Sequence, residues 1–321
     1  MRTLTVSVFA MALLALPGAA QNRGGPPRQF ELKAESPKFW ELFDQDAKLE
    51  KIATGFGFLE GPVWDPKGFL YVSDEEKNKV SRVYPDGRVE TLLEIGDPDG
   101  STLDTQGHFV TTASHLRAII QVDPDGKYKV LADKYEGKKF NSPNDIVVGP
   151  DGALYFTDPT LDLVKGEKQE TPFQGVYRLG KDGSVKLLNN EMAAPNGLAF
   201  SPDGKRLYIN DTKQKEIRVW DFDSNGELKN GRLFGKEEGR GGVPDGMRVD
   251  TKGNVYVTGP GGIWVWDPDG HQLGTIMTPE SCANFNWGDA DHKTMYIAGR
   301  TSVYRIKAKA TGFVPGSSGA K

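Results

Sequence analysis

The 321-residue chain is 37% hydrophobic and 26% charged, which is globular material long enough to bury a large core and excludes general disorder. A formal charge of −4 and a pI near 5.7, with no concentrated basic block, exclude nucleic acid as a partner. Cys282 is the single cysteine, so an internal disulfide is excluded as well.

In chain order, residues 1–20 carry a charged start at Arg2, an apolar run from Val6 to Leu16 and a small-residue end at Gly18, Ala19 and Ala20. This is the pattern of a secretory signal peptide cut after Ala20, which predicts a secreted or periplasmic protein. The apolar run is too short to span a bilayer, and no other stretch of the chain could, so no membrane association is expected after cleavage. Residues 21–47 read as a Gly- and Pro-rich linker followed by an N-terminal extension. Its Phe39, Trp40 and Phe43 suggest a short helix or an apron packed on the main body.

From residue 48 to 307 short alternating strands are separated by Asp-Gly, Asn-Gly and Pro-Asp-Gly turns, the pattern of an all-β protein. One phrase, a turn followed by Gly and a strand, recurs six times. It is anchored at Gly68, Gly107, Gly152, Gly204 and Gly253, with His292 in place of the sixth glycine. A second strand-turn-strand phrase follows each copy. Two hairpins per repeat make four strands, and anchors 39 to 52 residues apart match the blades of a six-bladed β-propeller. The last blade stops after Ser302 to Lys307 and lacks a fourth strand, while Leu49 to Phe56 is a strand without a blade. The N-terminal strand is therefore expected to close the last blade and remove two open edges. Residues 308–321, rich in Gly and Ser, are expected to form a flexible tail.

Eight residues before each anchor stand Glu60, Asp99, Asn144, Asn196, Asp245 and Asn284. All are carboxylates or carboxamides, at a position where strand propensity favours neither. Six repeats around an axis carry a shared register position to a shared height on the channel, so these residues predict a ring of oxygen ligands. Singly, each has an ordinary explanation as a turn or loop residue; phase separates them. Five Pro-Asp-Gly copies lie inside hairpins, whereas Pro244 to Gly246 precedes an inner strand. Oxygen donors without thiolate or clustered imidazole suit a hard divalent cation, and hydrolysis is the natural chemistry for it. No GxSxG elbow is present, and the four histidines form no close-spaced ligand motif. Asp158 and Asp211, at the ends of second strands, read as turn caps.

LEGPVWD with Glu60, NSPNDIVV with Asn144, APNGLAFS with Asn196 and VPDGMRVD with Asp245 resemble, in order and phase, the SMP-30/gluconolactonase/regucalcin-like family. The resemblance implies a six-bladed propeller with a catalytic divalent ion, calcium first, with zinc, magnesium or manganese as alternatives. It makes Glu60, Asn196 and Asp245 metal ligands, with Asn144 beside them as ligand or substrate contact. Asp245 is also the implied catalytic base, and Asn141 and His115 are implied pocket residues. Asp99, from the register, joins them on the substrate side. ASHLRA around His115 departs from the family's Cys-Glu-His-Gly pattern. Ser142-Pro143-Asn144-Asp145 replaces the animal branch's Arg-Phe-Asn-Asp, so no arginine carries over. The function implied is an exported, metal-dependent lactonase acting on a sugar-type lactone. A phosphotriesterase or fluorophosphatase-like hydrolase and a non-catalytic binding propeller are the alternatives.

Overall fold

The structure is a computed structural model that describes residues 28–223, 225–239 and 241–315. Six antiparallel sheets are arranged as blades around an axis. Blade 1 runs from its inner strand Leu59–Asp65 through Phe69–Asp74 and Lys79–Val83 to its outer strand Val89–Glu94. Blades 2, 3 and 4 repeat the order from the inner strands Pro98–Leu103, Ile146–Val148 and Pro195–Phe200, and blades 5 and 6 from Met247–Val249 and Cys282–Gly288. Each inner strand contacts the inner strand of the next blade, and that of blade 6 contacts that of blade 1, so the ring is closed.

Burial explains the sequence pattern within a blade. The second strand Phe69–Asp74 is covered on both faces by neighbouring blades and is buried at every residue, whereas the outer strand Val89–Glu94 alternates exposed and half-buried positions. Aromatic side chains fill the wedges between blades. Tyr71 stacks on Phe109 with ring centroids 4.2 Å apart, Trp64 stacks on Tyr296 at 5.2 Å across the seam, and Tyr256 meets Trp287 edge-on at 5.3 Å. At the anchor turns Gly68 has φ 95° and Gly253 φ 84°, and His292 adopts φ 50°, which is why it can stand where the other blades use glycine.

The N-terminal strand closes the last blade as the sequence predicts: Leu49–Thr54 pairs antiparallel with Ser302–Lys307, with Leu49 opposite Ile306 and Thr54 opposite Ser302. The extension is more than a linker. Glu31–Ala34 adds a fifth strand to blade 5 by pairing with Gln272–Met277, and Ser36 then caps a short 3-10 helix, Pro37–Glu41, by accepting from Lys38 N at 3.3 Å. Phe39, Leu42 and Phe43 are buried against Ile276 and Ile306. Residues 308–315, assigned by composition to a flexible tail, instead strap the far end of the ring. Gly312 N donates to His292 O at 2.8 Å and Phe313 N to Val249 O at 3.1 Å. The signal-peptide segment 1–20, the first linker residues and residues 316–321 lie outside the described residues. Among the described residues no helix is long and apolar enough to cross a membrane.

Candidate active site and cation centre

The six register residues open the inner strands at one end of the channel. Glu60, Asp99, Asn144, Asn196 and Asn284 are each less than 7% exposed, and Asp245 is partly buried beside them. Glycine follows four of them, and close approach is the reason. A Cβ at Gly61 would lie 2.1 Å from Asp99 O, at Gly100 2.6 Å from Asn144 O, at Gly197 2.1 Å from Asp245 O and at Gly246 2.2 Å from Asn284 Cγ. Each glycine lets the next blade's ring residue press against it. At Gly61, Gly100 and Gly197 it is the neighbour's backbone oxygen that comes this near, and at Gly246 the Asn284 side chain itself, so the absence of a Cβ lets the ring residues crowd together.

Hydrogen bonds fix their orientation. Asn284 Nδ2 and Gly61 N each donate to Glu60 Oε2 at 2.8 Å, which leaves Glu60 Oε1 without a partner among the described residues. Asn144 Nδ2 donates to Asp99 Oδ2, and Asn144 Oδ1 is likewise buried without a partner. Asn196 donates toward the Asp245 carboxylate. Thr112 Oγ1 and Gly100 N hold Asn144 O at 2.6 and 2.9 Å, fixing the backbone on which that side chain is mounted.

Burial and like charge dominate the electrostatics. Burial pushes Glu60 up to about 7 against the opposing hydrogen bonds from Gly61 and Asn284. Asp99 and Asp245 are raised well above the usual carboxylate range, first by burial and then by their acidic neighbours, Glu75 foremost for Asp99 and Glu60 for Asp245. Deeper in the channel Arg248 Nη1 lies 3.5 Å from Asp145 Oδ2, both side chains buried, and donates to Met247 O at 2.6 Å. That guanidinium is already balanced by Asp145. The mouth therefore holds more carboxylates than its own cations can neutralise, and two of its buried oxygens are orphaned; buried orphan acceptors cost about 1–3 kcal/mol each when left unmade. Oxygen donors, negative charge and free lone pairs together fit a hard divalent cation.

Other expected residues take different places. His115, in the short turn Ser114–Leu116, sits at the rim with Nε2 3.5 Å from Asp97 Oδ2, and burial pushes Asp97 up to about 7. Asn141 is fully buried. Its Nδ2 donates to Asp158 O at 3.0 Å and to Phe173 O at 3.1 Å, so it ties the 160–173 loop to blade 3. Asp211 caps its turn by accepting the amides of Lys213 and Gln214, and it also takes Ala193 N. Asp158 does not cap a local turn: its Oδ2 accepts Asn141 N, 17 residues away, at 2.9 Å, and its Oδ1 has no partner among the described residues.

Three acids were outside the ring register. Glu75 has a carboxylate oxygen within 4.8 Å of oxygens of Glu60 and Asp99. It directly follows the turn cap Asp74, whose Oδ1 and Oδ2 accept Gly57 N, Phe58 N and Lys77 N. A signal for it exists: the corresponding positions of the other blades are Ser114, Pro159, Thr212, Pro260 and Arg300, so Glu75 is the one acid there. Asp162 comes from the 160–173 loop. Its N–H bonds Ser142 Oγ at 3.2 Å, and its carboxylate, raised by burial, takes a hydrogen bond from Asn144. Asp97 sits at the rim. Asp97 stands two residues before Asp99, where the other blades carry Phe58, Ser142, Ala194, Val243 and Cys282, so it too is the one acid at its repeat position; Asp162, on an irregular loop, has no such register.

Comparison with known proteins agrees with this geometry. Residues 58–301 match the family described as SMP-30/Gluconolactonase/LRE-like region. The chain is 34% identical to a gluconolactonase of Zymomonas mobilis over 92% of its own length and 90% of the relative's. It is 27% identical to the pentonolactonase XacC of Haloferax volcanii, over 74% of its length and 80% of that protein's. A solved structure of a gluconolactonase from Xanthomonas campestris superposes with a TM-score of 0.82 at 31% identity, covering 89% of this chain and 97% of that one. Ring, motifs and these likenesses agree, and the chain belongs to the SMP-30/gluconolactonase/LRE-like family.

Proposed function

We propose that this protein is an exported, divalent-metal-dependent hydrolase that opens a sugar-type lactone. The observation that carries the reading is the convergence of Glu60, Asn144, Asn196 and Asp245 on one channel mouth with two buried, unpartnered oxygens. The sugar-lactone relatives support the substrate class. Glu60, Asn196 and Asp245 would hold the ion, with Asn144 beside them, and the all-oxygen donors favour calcium. Once bound, such an ion polarises the lactone carbonyl and makes water more acidic.

The chain's own residues supply the rest. Asp245, steadied by Asn196, takes a proton from the attacking water. The oxygen adds to the carbonyl carbon, the ring C–O bond breaks, and the proton passes to the departing ring oxygen, giving a hydroxy acid. Asn144 and Asp99, joined through Asn144 Nδ2, line the side of the mouth that the sugar meets, and the His115–Asp97 pair forms the rim over which the lactone enters. Residues 1–20 direct export, with a mature N-terminus at Gln21.

The test is lactone hydrolysis by the purified mature chain, followed with a pH indicator on glucono-1,5-lactone and related aldonolactones. Turnover that chelation abolishes and calcium restores is expected. Chelator-insensitive turnover would remove the metal from the reading. Absence of turnover on every lactone, with turnover of phosphotriesters, would replace the substrate class. Mass spectrometry of the secreted protein checks the cleavage site.

A further inference from the structure

Glu75 lies outside the ligand set just assigned, yet its carboxylate is turned to the same mouth. One oxygen each from Glu60, Glu75 and Asp99 lie within 4.8 Å of one another. Oxygens bound at about 2.3–2.6 Å to one calcium-sized ion stand up to roughly 5 Å apart, so the three fit a single coordination sphere. Two further facts point to a ligand there. Asn144 is 6% exposed and its Nδ2 is committed to Asp99 Oδ2, which sets its carboxamide against the cluster while Oδ1 stays unpartnered among the described residues. Glu60, 2% exposed, presents Oε1 in the same state.

Charge makes the same demand. One divalent ion held by Glu60, Asn196 and Asp245 offsets the two carboxylates among its ligands. Glu75 and Asp99 remain, with Asp162 adjoining through Asn144. The basic side chains placed near them are His115, whose Nε2 is 3.5 Å from Asp97, and Arg248, paired with Asp145. Neither is free to neutralise them.

We propose that Glu75, Asp99 and Asn144 Oδ1, with Glu60 bridging through Oε1, hold a second divalent cation beside the first. The site would then be a two-cation centre, with Asp162 of the 160–173 loop adjoining the second position through Asn144. Paired ions in hydrolases stand about 3.5–4 Å apart and can share a bridging carboxylate. The proposal rests on the first ion being held by Glu60, Asn196 and Asp245.

The test is a titration of the chelator-treated mature chain with Mn2+, read by bound metal per chain and by electron paramagnetic resonance, alongside lactone turnover. Wild type is expected to bind two ions per chain with the spectrum of a coupled pair. Glu75→Gln and Asp99→Asn are each expected to bind one ion, uncoupled, with second-site affinity lowered at least 100-fold. Asp245→Asn should lose the other ion. One ion per chain in wild type, unchanged by Glu75→Gln, overturns the second site while chelator-sensitive turnover leaves the lactonase reading standing. A single ion lost in Glu75→Gln and Asp245→Asn alike also overturns it, because all these acids then serve one position. No bound ion with turnover intact overturns both this site and the metal-dependent mechanism. Circular dichroism of each variant separates lost binding from lost folding.

Discussion

Asn284 of the last blade donates from Nδ2 to Glu60 Oε2 of the first at 2.8 Å, across 224 residues of sequence. The bond joins the two ends of the ring at the site itself, and it leaves Glu60 Oε1 as the oxygen available to a ligand. Asn284→Ala should let the Glu60 carboxylate turn. Groups that orient a metal ligand from behind are worth about 10–100-fold in affinity or activity, so a loss in that range is expected with little change in fold. Metal titration beside lactone kinetics checks it; unchanged values for both would show that the bond does not position Glu60.

Asp245 separates function from stability. Its carboxylate is buried beside Glu60, and both burial and that like charge oppose its ionisation. Asp245→Asn should lower lactone turnover by about 1000-fold, within the usual range for a general base. In chelator at pH 8 the same variant should melt at a higher temperature than wild type, since a neutral amide relieves the repulsion. A lower melting temperature under those conditions would count against a site built around an added cation.

Close packing of the ring makes Gly61 a sensitive position. Its φ is 49°, and a Cβ there would meet Asp99 O at 2.1 Å. Gly61→Ala is expected to cost about 2–4 kcal/mol through backbone strain and overpacking, and to separate Glu60 from Asp99. Chemical denaturation gives the stability, and metal affinity should fall with it. A variant as stable as wild type would show that the ring is looser than the contacts imply.

Glu237 provides a pH dependence away from the ring. It is 3% exposed, its carboxylate fills the space a side chain at Gly259 would need, and neither oxygen has a partner among the described residues. Burial raises it from the usual 4.5 to about 9, only weakly opposed by Lys215. The folded protein thus keeps a proton that the unfolded chain has released. Its contribution to stability is lost as pH rises from 4.5 toward 9, at about 1 kcal/mol per pH unit for this group. Glu237→Gln should match wild type near pH 4.5 and exceed it increasingly toward pH 9. Parallel melting curves across that range would refute the assignment.

The sequence carried the periodic part of this protein well. A fixed offset from six turns located the ring because blade geometry repeats, and even His292 could be read as a glycine surrogate; its φ of 50° shows why. Closure by Leu49–Thr54 was legible because the last blade is one strand short. Glu75 is one residue past a turn cap, where the repeat marks it only as the one acid among six blades, and Asp162 is carried inward by an irregular loop that no period reports. Asn141 shows what a motif leaves out: its place suggested the pocket, and the structure adds that its amide holds Asp158 and Phe173. Motif position tells that a residue matters; only its partners tell how.

The seam between Leu49–Thr54 and Ser302–Lys307 also sets an order of assembly. The first of these strands leaves the ribosome long before the second, and until then both would-be partners are open edges. Long-range pairing of this kind is slow and carries a loop-closure cost. Glu60 acquires its Asn284 partner only when the last blade docks, so the mouth is expected to be complete only once Ser302–Lys307 has paired with Leu49–Thr54. A product stopping just short of Ser302 would contain Glu60, Asn144, Asn196 and Asp245 and still be expected to be inactive.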